Sequence, residues 1–177
     1  MGLANELGYR HRNQTRFQRG MVAIASTRSV STLNRRLLPS LDRLVLAITG
    51  GRSTLTSLAS GLPVLWLTSV GARSGLARTS PLLGFPLGED MAVIGTSFGQ
   101  ENTPGWVHNL EAHPEALAVY RGSEVRVVAR RAESEETKLV WETAAGAYPG
   151  YANYARLASH RQIRVFVLEM AEDPGHE

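Results

Sequence analysis

Beyond residue 63, hydrophobic and polar residues alternate with a period of two in several short stretches, which is the pattern of half-buried β-strands. Glycine and proline separate these stretches, as they do in turns. Pro81 and Pro86 mark an edge or bends within the second stretch. The pattern predicts strands over residues 64–69, 78–87, 91–96, 115–120, 124–131 and 163–170.

Segments with hydrophobic residues at helical spacing lie before and between these strands. Residues 104–112 predict a short helix, with Pro104 near its first position and Pro114 after its end. Ser134 is predicted as the N-cap of a helix that runs to about Ala147 and has an acidic first turn. Further helices are predicted over residues 15–38, 41–48 and 149–159, and a loose tail over residues 1–13.

The order of these elements indicates the fold class. Six strands with a few short helices, and no regular alternation of strand and helix, predict an α+β protein whose strands form a mostly antiparallel barrel. We expect a basic N-terminal arm with helices over residues 1–60, a barrel domain over residues 61–172 and a tail over residues 173–177.

The composition excludes several kinds of chemistry. The 177 residues include no cysteine, which excludes disulfides, thiolate-bound metal and a cysteine nucleophile. Redox chemistry would therefore need a bound cofactor. His108 and His113 are not spaced as a helical pair of ligands, so we expect no metal site. No signal peptide or membrane-spanning stretch is apparent, and we expect a cytoplasmic protein.

Positive charge is concentrated in the N-terminal arm. Residues 1–40 contain seven arginines and one acid, Glu6, a net charge of +6, whereas the whole chain carries +3. Such an arm suits a solvated extension, an anionic membrane or a nucleic acid. We expect no nucleic-acid partner, and peripheral contact of residues 1–40 with the inner face of an anionic membrane. The pattern does not indicate an oligomeric state.

The loop between the first two predicted strands combines glycine with arginine. Arg73 and Ser74 lie between Gly71 and Gly75, and Arg78 begins the next strand. Glycines let backbone N–H groups approach an anion, and guanidinium groups bind phosphate or carboxylate in a forked geometry. The segment lacks the Walker lysine and the dinucleotide fingerprint. It fits either a phosphate-bearing ligand or an ordinary turn with surface arginines.

Two aromatic segments could border a flat ligand. A predicted strand ends near Ser97, and the next helix starts with a segment that includes Trp106; a helix N-terminus and an aromatic side chain can lie beside a ring system. Tyr151 and Tyr154 share a helix face, and Tyr148 precedes them. Packing in the core is the alternative for each of these side chains.

Taken in order, the segments 68–82, 97–99, 104–110 and 148–151 resemble the deazaflavin-dependent nitroreductase family. Members of this family fold as a split β-barrel and use coenzyme F420, an 8-hydroxy-5-deazaflavin. The resemblance covers residues 60–170 approximately. It implies a reductase that transfers a hydride from the reduced coenzyme to an electron-poor acceptor, which is a quinone, an enone or a nitro compound.

The resemblance also implies roles for individual residues. The loop at 71–78 would hold the phosphate and glutamyl tail of the coenzyme, and residues 97–109 would line the deazaflavin ring. The tyrosines would border the substrate pocket, one phenol acting as proton donor. The implied catalytic residues are Tyr148, Tyr151 and Tyr154, and the implied coenzyme-binding residues are Gly71, Arg73, Ser74, Gly75, Arg78, Ser80, Pro81, Leu82, Ser97, Phe98, Gly99, Pro104, Gly105, Trp106 and Asn109.

Two positions depart from the nitroimidazole-reducing members of that family. Phe98 stands where some of them carry a basic residue, and Leu83 stands where they carry an aromatic one. The identity of the acceptor therefore stays open. The alternatives to a deazaflavin-dependent reductase are a non-catalytic deazaflavin carrier and an FMN-dependent oxidoreductase on the same fold.

Overall fold

The computed structural model describes residues 2–8, 64–97, 101–147, 151 and 162–172. Within these ranges the chain forms three helices and six strands. In chain order they are α1 (Leu3–Glu6), β1 (Val64–Val70), β2 (Ala77–Leu87), β3 (Asp90–Ile94), α2 (Gly105–Ala112), β4 (Glu115–Tyr120), β5 (Ser123–Arg131), α3 (Ser134–Ala147) and β6 (Val165–Met170).

The six strands close into an antiparallel barrel in the order β1-β2-β3-β6-β5-β4. This confirms the predicted fold class, and each strand lies within two residues of its predicted bounds. Side chains of the barrel wall alternate between its interior and its outer face. In β1, Leu65, Leu67 and Ser69 are buried, whereas their neighbours are partly or largely exposed. One face of every strand therefore contributes to a common interior.

The barrel has two distinct ends. At the loop end, residues 70–77 connect β1 to β2, and α2 packs across the opening with Val107 and Leu110 in the core. At the far end are the turns at Gly88 and Gly122, both with positive φ. The core fills the space between the ends and includes Leu65, Leu67, Met91, Val93, Trp106, Val107, Ala118, Val127, Phe166 and Leu168.

Helix α1 closes the far end, where the sequence predicted only a loose tail. Leu3 and Leu7 are 0% and 1% exposed and belong to the barrel core. The N–H of Ala4 donates to the carbonyl of Glu89 at 3.3 Å, and a Cβ on Gly2 would collide with Glu89. The prediction was wrong here because two leucines four residues apart are too short a pattern to indicate a helix.

Helix α3 covers the outer wall of β2, β3 and β6. Val140 and Ala144 of α3 pack with Phe85, Ile94 and Val165, whose side chains face away from the barrel interior, in a second hydrophobic cluster. The helix spans the predicted residues, but it begins at Ser134 itself. Ser134 is therefore not the N-cap.

The residue before α3 takes the capping position instead. The N–H of Glu133 donates to Oε2 of Glu136 at 2.8 Å, so that a glutamate in the first turn bonds to the cap residue. The same carboxylate receives two hydrogen bonds from Arg130. These bonds, together with that N–H, lower the pKa of Glu136 to about 2.

Parts of the predicted organisation lie outside the described residues. These are the helices over residues 15–38 and 41–48, most of the segment 149–159, the tail after residue 172 and the boundary at residues 60–61. Where the chain is described, no helix is long and apolar enough to cross a bilayer.

Candidate functional site

The loop end of the barrel carries the glycine and arginine residues singled out in the sequence. Two backbone bonds close the loop: the N–H of Gly71 donates to the carbonyl of Leu76, and the N–H of Gly75 donates to the carbonyl of Gly71, both at 2.8 Å. Gly75 has a φ of +66°, a conformation that other residues adopt at a cost. A Cβ on Gly71 would lie 2.6 Å from Oγ of Ser74. The shape of the loop thus favours glycine at position 75 through its backbone conformation, and a side chain at position 71 would displace the hydroxyl of Ser74.

The backbone of this loop is largely engaged in bonds within the protein. Besides the N–H groups of Gly71 and Gly75, that of Leu76 donates to Oγ of Ser74 at 3.4 Å, and that of Ala72 donates to α2. The N–H groups of the two glycines thus bond within the protein, and binding of an anion by other backbone N–H groups of the loop stays a prediction. The positive charge of the loop comes from its arginine side chains.

Arg73 and Arg78 are exposed at this rim. Within the described ranges neither has a carboxylate partner, whereas Arg130, Arg131 and Arg164 each do. Residues 68–80 include no aspartate or glutamate. At the loop end, the described residues thus leave two guanidinium groups without an acidic partner.

The register of β1 with β2 fixes where the loop residues face. Arg78 pairs with Ser69, so it rises from the same face as the barrel interior. The hydroxyls of Thr68 and Thr79 are 2.7 Å apart on the opposite face. Of the other predicted coenzyme-binding residues on β2, Ser80 and Leu82 pair with inward-facing residues, Leu82 packs against the core, and Pro81 is exposed on the outer face.

Helix α2 positions the next predicted residues. Pro104 is its N-cap and Gly105 its first residue, so Pro104 stands one position earlier than predicted. Trp106 is buried in the core, its ring centroid 6.0 Å from that of Phe166 with the planes at 61°. The alternative interpretation of Trp106 as a core residue thus holds for most of its surface. Its proposed place beside a deazaflavin ring stays a prediction.

Asn109, one turn after Trp106, connects α2 to residues 71–78, which we call the arginine loop. Its side chain is buried, its Nδ2 donates to Oγ of Ser69 at 3.2 Å, and its Oδ1 accepts from the N–H of Ala72 at 3.0 Å. The predicted loop and the predicted helix are therefore adjacent.

The backbone after β3 approaches α2 closely. A Cβ on Gly95 would lie 2.9 Å from Cγ2 of Val107, so glycine permits the contact. Ser97 follows with a φ of +48°, which is uncommon for a residue other than glycine. The next two predicted residues, Phe98 and Gly99, lie outside the described residues.

A charged cluster lies on the outer side of α2. Oε1 of Glu111 is 2.6 Å from Nε of Arg164 and 3.4 Å from an Nη of Arg131, and Oε2 is 3.6 Å from Nδ1 of His108. These pairs attach α2 to the adjoining ends of β5 and β6. No group of three potential metal ligands occurs in the part of the chain that is described.

Tyr151 lies on the outer wall of the barrel. It is 5% exposed, and its ring packs edge-on against Phe85 at 5.4 Å and Trp141 at 6.1 Å. On β2, Phe85 is seven residues from Arg78, about 23 Å along a strand. The structure thus does not bring the ring of Tyr151 next to the arginine loop. Tyr148 and Tyr154 lie outside the described residues.

Three residues of the loop end were not anticipated from the sequence. Ser69 interrupts the inward-facing apolar positions of β1, and this single polar residue was the signal for a buried hydrogen bond. Gly95 and Glu111 gave no such signal. Their roles depend on contacts between elements that are distant in the sequence.

Comparison with known proteins relates this chain to reductases. A family model described as F420H(2)-dependent quinone reductase matches residues 45–170. An F420-H2 dependent reductase, FDR-A, is 31% identical, with 60% of this chain and 94% of that chain covered and a TM-score of 0.55. A chain solved as a domain-swapped dimer has the same identity and TM-score, with 60% and 80% covered.

A more distant structure shares the fold alone. HutZ, the heme storage protein from Vibrio cholerae, is 15% identical, with 75% of this chain and 92% of that chain covered and a TM-score of 0.50. The family match, in contrast, extends over all six strands, the arginine loop and α2. The chain therefore belongs to the F420H(2)-dependent quinone reductase family.

Proposed function

We propose that this protein is an F420H2-dependent reductase whose acceptor is a quinone, and that the arginine loop holds the anionic part of the coenzyme. The family match over residues 45–170 carries the assignment of the coenzyme and of the reaction class. Two exposed arginines that have no carboxylate partner among the described residues support the position of the anionic part.

The chemistry of the loop end fits the coenzyme. Coenzyme F420 carries a phosphate and a glutamyl tail, and these anions require cationic or N–H donors. Arg73 and Arg78 supply guanidinium groups, and no acid in residues 68–80 opposes them. Charge-assisted hydrogen bonds of this type stabilise a complex by about 1.5–3 kcal/mol each.

The described residues have two tasks in the proposed reaction. When bound, the reduced deazaflavin supplies a hydride from its C5 position. The arginines would fix the anionic end of the coenzyme, and Ser97 together with the start of α2, from Pro104 to Trp106, would line the ring and orient it toward the acceptor. Orientation of two reactants accounts for much of the rate enhancement when no strong acid or base takes part.

The tyrosines are proposed as the border of the acceptor pocket. Tyr151 is a buried residue of this group, and Tyr148 and Tyr154 flank it in the sequence. A phenol at this border could donate the proton that completes reduction of the acceptor. Solvent is the alternative source of that proton.

The quinone is the preferred acceptor because the family is described by that activity. The alternative acceptors are an enone and a nitro compound, each of which takes up a hydride at an electron-poor centre. Steady-state rates with menadione, a cyclic enone and a nitroimidazole distinguish the three. The proposal for the acceptor is wrong if the enone or the nitroimidazole is reduced faster than the quinone.

We also propose that the basic arm brings the enzyme to an anionic membrane, where lipid-soluble quinones reside. The arginines of residues 10–36 carry this proposal through their charge. Deletion of residues 1–40 is an unsuitable test because it would also remove Leu3 and Leu7 from the core. Replacing Arg10, Arg12, Arg16 and Arg19 with glutamine leaves these leucines in place. Co-sedimentation with anionic vesicles should then decrease, and an undiminished bound fraction would contradict membrane contact.

The central experiment is a binding titration with F420 and, in parallel, with FMN. We expect saturable binding of F420 and much weaker binding of FMN. The reverse preference would favour the FMN-dependent oxidoreductase. Binding of F420 without turnover of any electron-poor acceptor would favour the carrier protein.

A further inference from the structure

We propose that Asn109 is a positioning residue that holds the arginine loop in the conformation that binds the coenzyme, without contacting the coenzyme itself. This inference rests on the proposed function of the loop. Asn109 would affect coenzyme binding indirectly, by positioning Ala72 and Arg73. The family resemblance implied a direct contact instead.

The orientation of the Asn109 side chain is fixed by its two partners. A backbone N–H can only donate, so the group that faces Ala72 must be the amide oxygen. The amide nitrogen then faces Ser69 and donates to its hydroxyl. Asn109 is only 9% exposed, which leaves little of its surface for a ligand.

The bond to Ala72 lies directly before Arg73. Among the described residues, the other hydrogen bonds of the loop join its own residues, from Gly71 to Leu76, from Gly75 to Gly71 and from Leu76 to Ser74. Asn109 therefore provides the connection between the loop and a separate element of the fold. Without it, the start of the loop would keep its internal turn but lose its fixed position relative to α2.

The same side chain couples the two parts of the proposed coenzyme site. Asn109 and Trp106 lie one turn apart on α2, a helix that Glu111 attaches to β5 and β6. The helix is thus a fixed reference, and Asn109 sets the arginine loop against it. A long coenzyme that spans both parts binds best when their separation is set before binding.

A double-mutant cycle distinguishes this role from direct contact. Asn109→Ala should weaken F420 binding about five- to tenfold, the effect of losing the hydrogen bond that positions Ala72, and Arg73→Ala should weaken it about tenfold. If Asn109 acts through Arg73, the double variant should bind no more than about twofold more weakly than Arg73→Ala alone. Effects that multiply to about 50-fold or more would overturn the proposal.

Kinetic and control measurements complete the test. Asn109→Ala should raise KM for the coenzyme and leave kcat at saturation unchanged, because the reacting groups keep their places. His113→Ala, which changes an exposed residue directly after α2, should alter neither value. Ser69→Ala removes only the second hydrogen bond of Asn109, should weaken binding about two- to threefold, and serves if Asn109→Ala does not fold.

Hydrogen exchange of the Ala72 amide tests the positioning role without any coenzyme. Exchange should accelerate in Asn109→Ala and in Ser69→Ala but not in His113→Ala. An unchanged rate would overturn the proposal. Failure of the unmodified protein to bind F420 would instead contradict the proposed function, and the exchange rates would still decide whether Asn109 holds the loop.

Discussion

Arg130 and Glu136 form a two-pronged ion pair that joins the barrel wall to α3. The Nη atoms of Arg130 donate to the two carboxylate oxygens of Glu136 at 2.7 and 2.8 Å, while its Nε donates to Glu169 at 2.6 Å. The guanidinium group is thus held on two sides, and both carboxylates raise the pKa of Arg130. This connection holds α3 at its N-terminal end, over the wall on which Tyr151 packs.

The ion pair predicts a specific dependence of stability on pH. The pKa of Glu136 is lowered to about 2 in the folded protein, from an ordinary value of 4.5, first by Arg130 and then by the N–H of Glu133. Its contribution is therefore complete above about pH 4.5 and is lost as the pH falls toward 2. Glu136→Gln should lower the free energy of unfolding by about 1 kcal/mol at neutral pH, and this difference should shrink as the pH falls through that range.

Urea unfolding of Glu136→Gln at several pH values is the measurement, with Glu135→Gln, an exposed neighbour, as the control. The pKa of Asp90 is shifted in the opposite direction from that of Glu136, because burial and then the charge of Glu169 raise it. Its contribution to stability decreases as the pH rises through that raised pKa. A constant difference between Glu136→Gln and the unmodified protein over the whole range would contradict the prediction.

The arginine loop predicts a loss of coenzyme affinity on removal of charge. Arg73→Ala and Arg78→Ala should each weaken F420 binding at least about tenfold, because each loses a charge-assisted hydrogen bond. Arg121→Ala, at the far end of the barrel, is the matched control and should bind normally. Unchanged affinity when both loop arginines are replaced would exclude this loop as the anion site.

The packing of α1 and of Leu7, which directly follows it, against the core predicts that truncation of Leu7 strongly lowers stability. Leu7→Ala should lower the free energy of unfolding by about 2–5 kcal/mol, since it leaves a cavity among fully buried side chains. Leu76→Ala, at a position that is 60% exposed, should change it by less than about 0.5 kcal/mol. Equal urea midpoints for the two variants would show that α1 does not contribute to the core.

The proton-donor role of Tyr151 stays a prediction. A substitution that removes only the phenolic hydroxyl tests it. Tyr151→Phe keeps the ring against Phe85 and Trp141 and removes only the hydroxyl. Turnover of menadione should fall about 100-fold or more if the phenol is a general acid, with F420 affinity unchanged. Tyr154→Phe should have an effect of about fivefold, and Tyr120→Phe, at the far end, none. Full activity of Tyr151→Phe would leave the tyrosines as pocket walls.

The barrel could be predicted from the sequence because each strand has its own alternating pattern. In β5, Val127 and Ala129 are buried between exposed or partly exposed residues, and this signal needs no knowledge of the partner strands. Turn residues such as Gly88 and Gly122 then separate one strand from the next. The order of strands in the barrel has no such local signal and was not predicted.

The candidate site could be predicted only as a set of segments. Gly71 and Arg73 were recognisable as part of a loop with anion-binding chemistry. The hydrogen bonds that the N–H groups of this loop make within the protein were not predicted. The bond from Ala72 to Asn109 joins residues that are 37 positions apart. Contacts of this kind arise from the closed barrel, so they cannot be read from spacing or composition.

The position of α1 has a consequence for the order in which the protein folds. Leu7 and Leu168 belong to one core although nearly the whole chain separates them, and α1 packs against β3, β5 and β6. The entropy of closing so long a loop is recovered only after the strands have assembled. We therefore expect α1 to dock after the barrel forms and to be released before the barrel opens. Amides around Leu3 should exchange through this partial opening, ahead of those in β1 and β6.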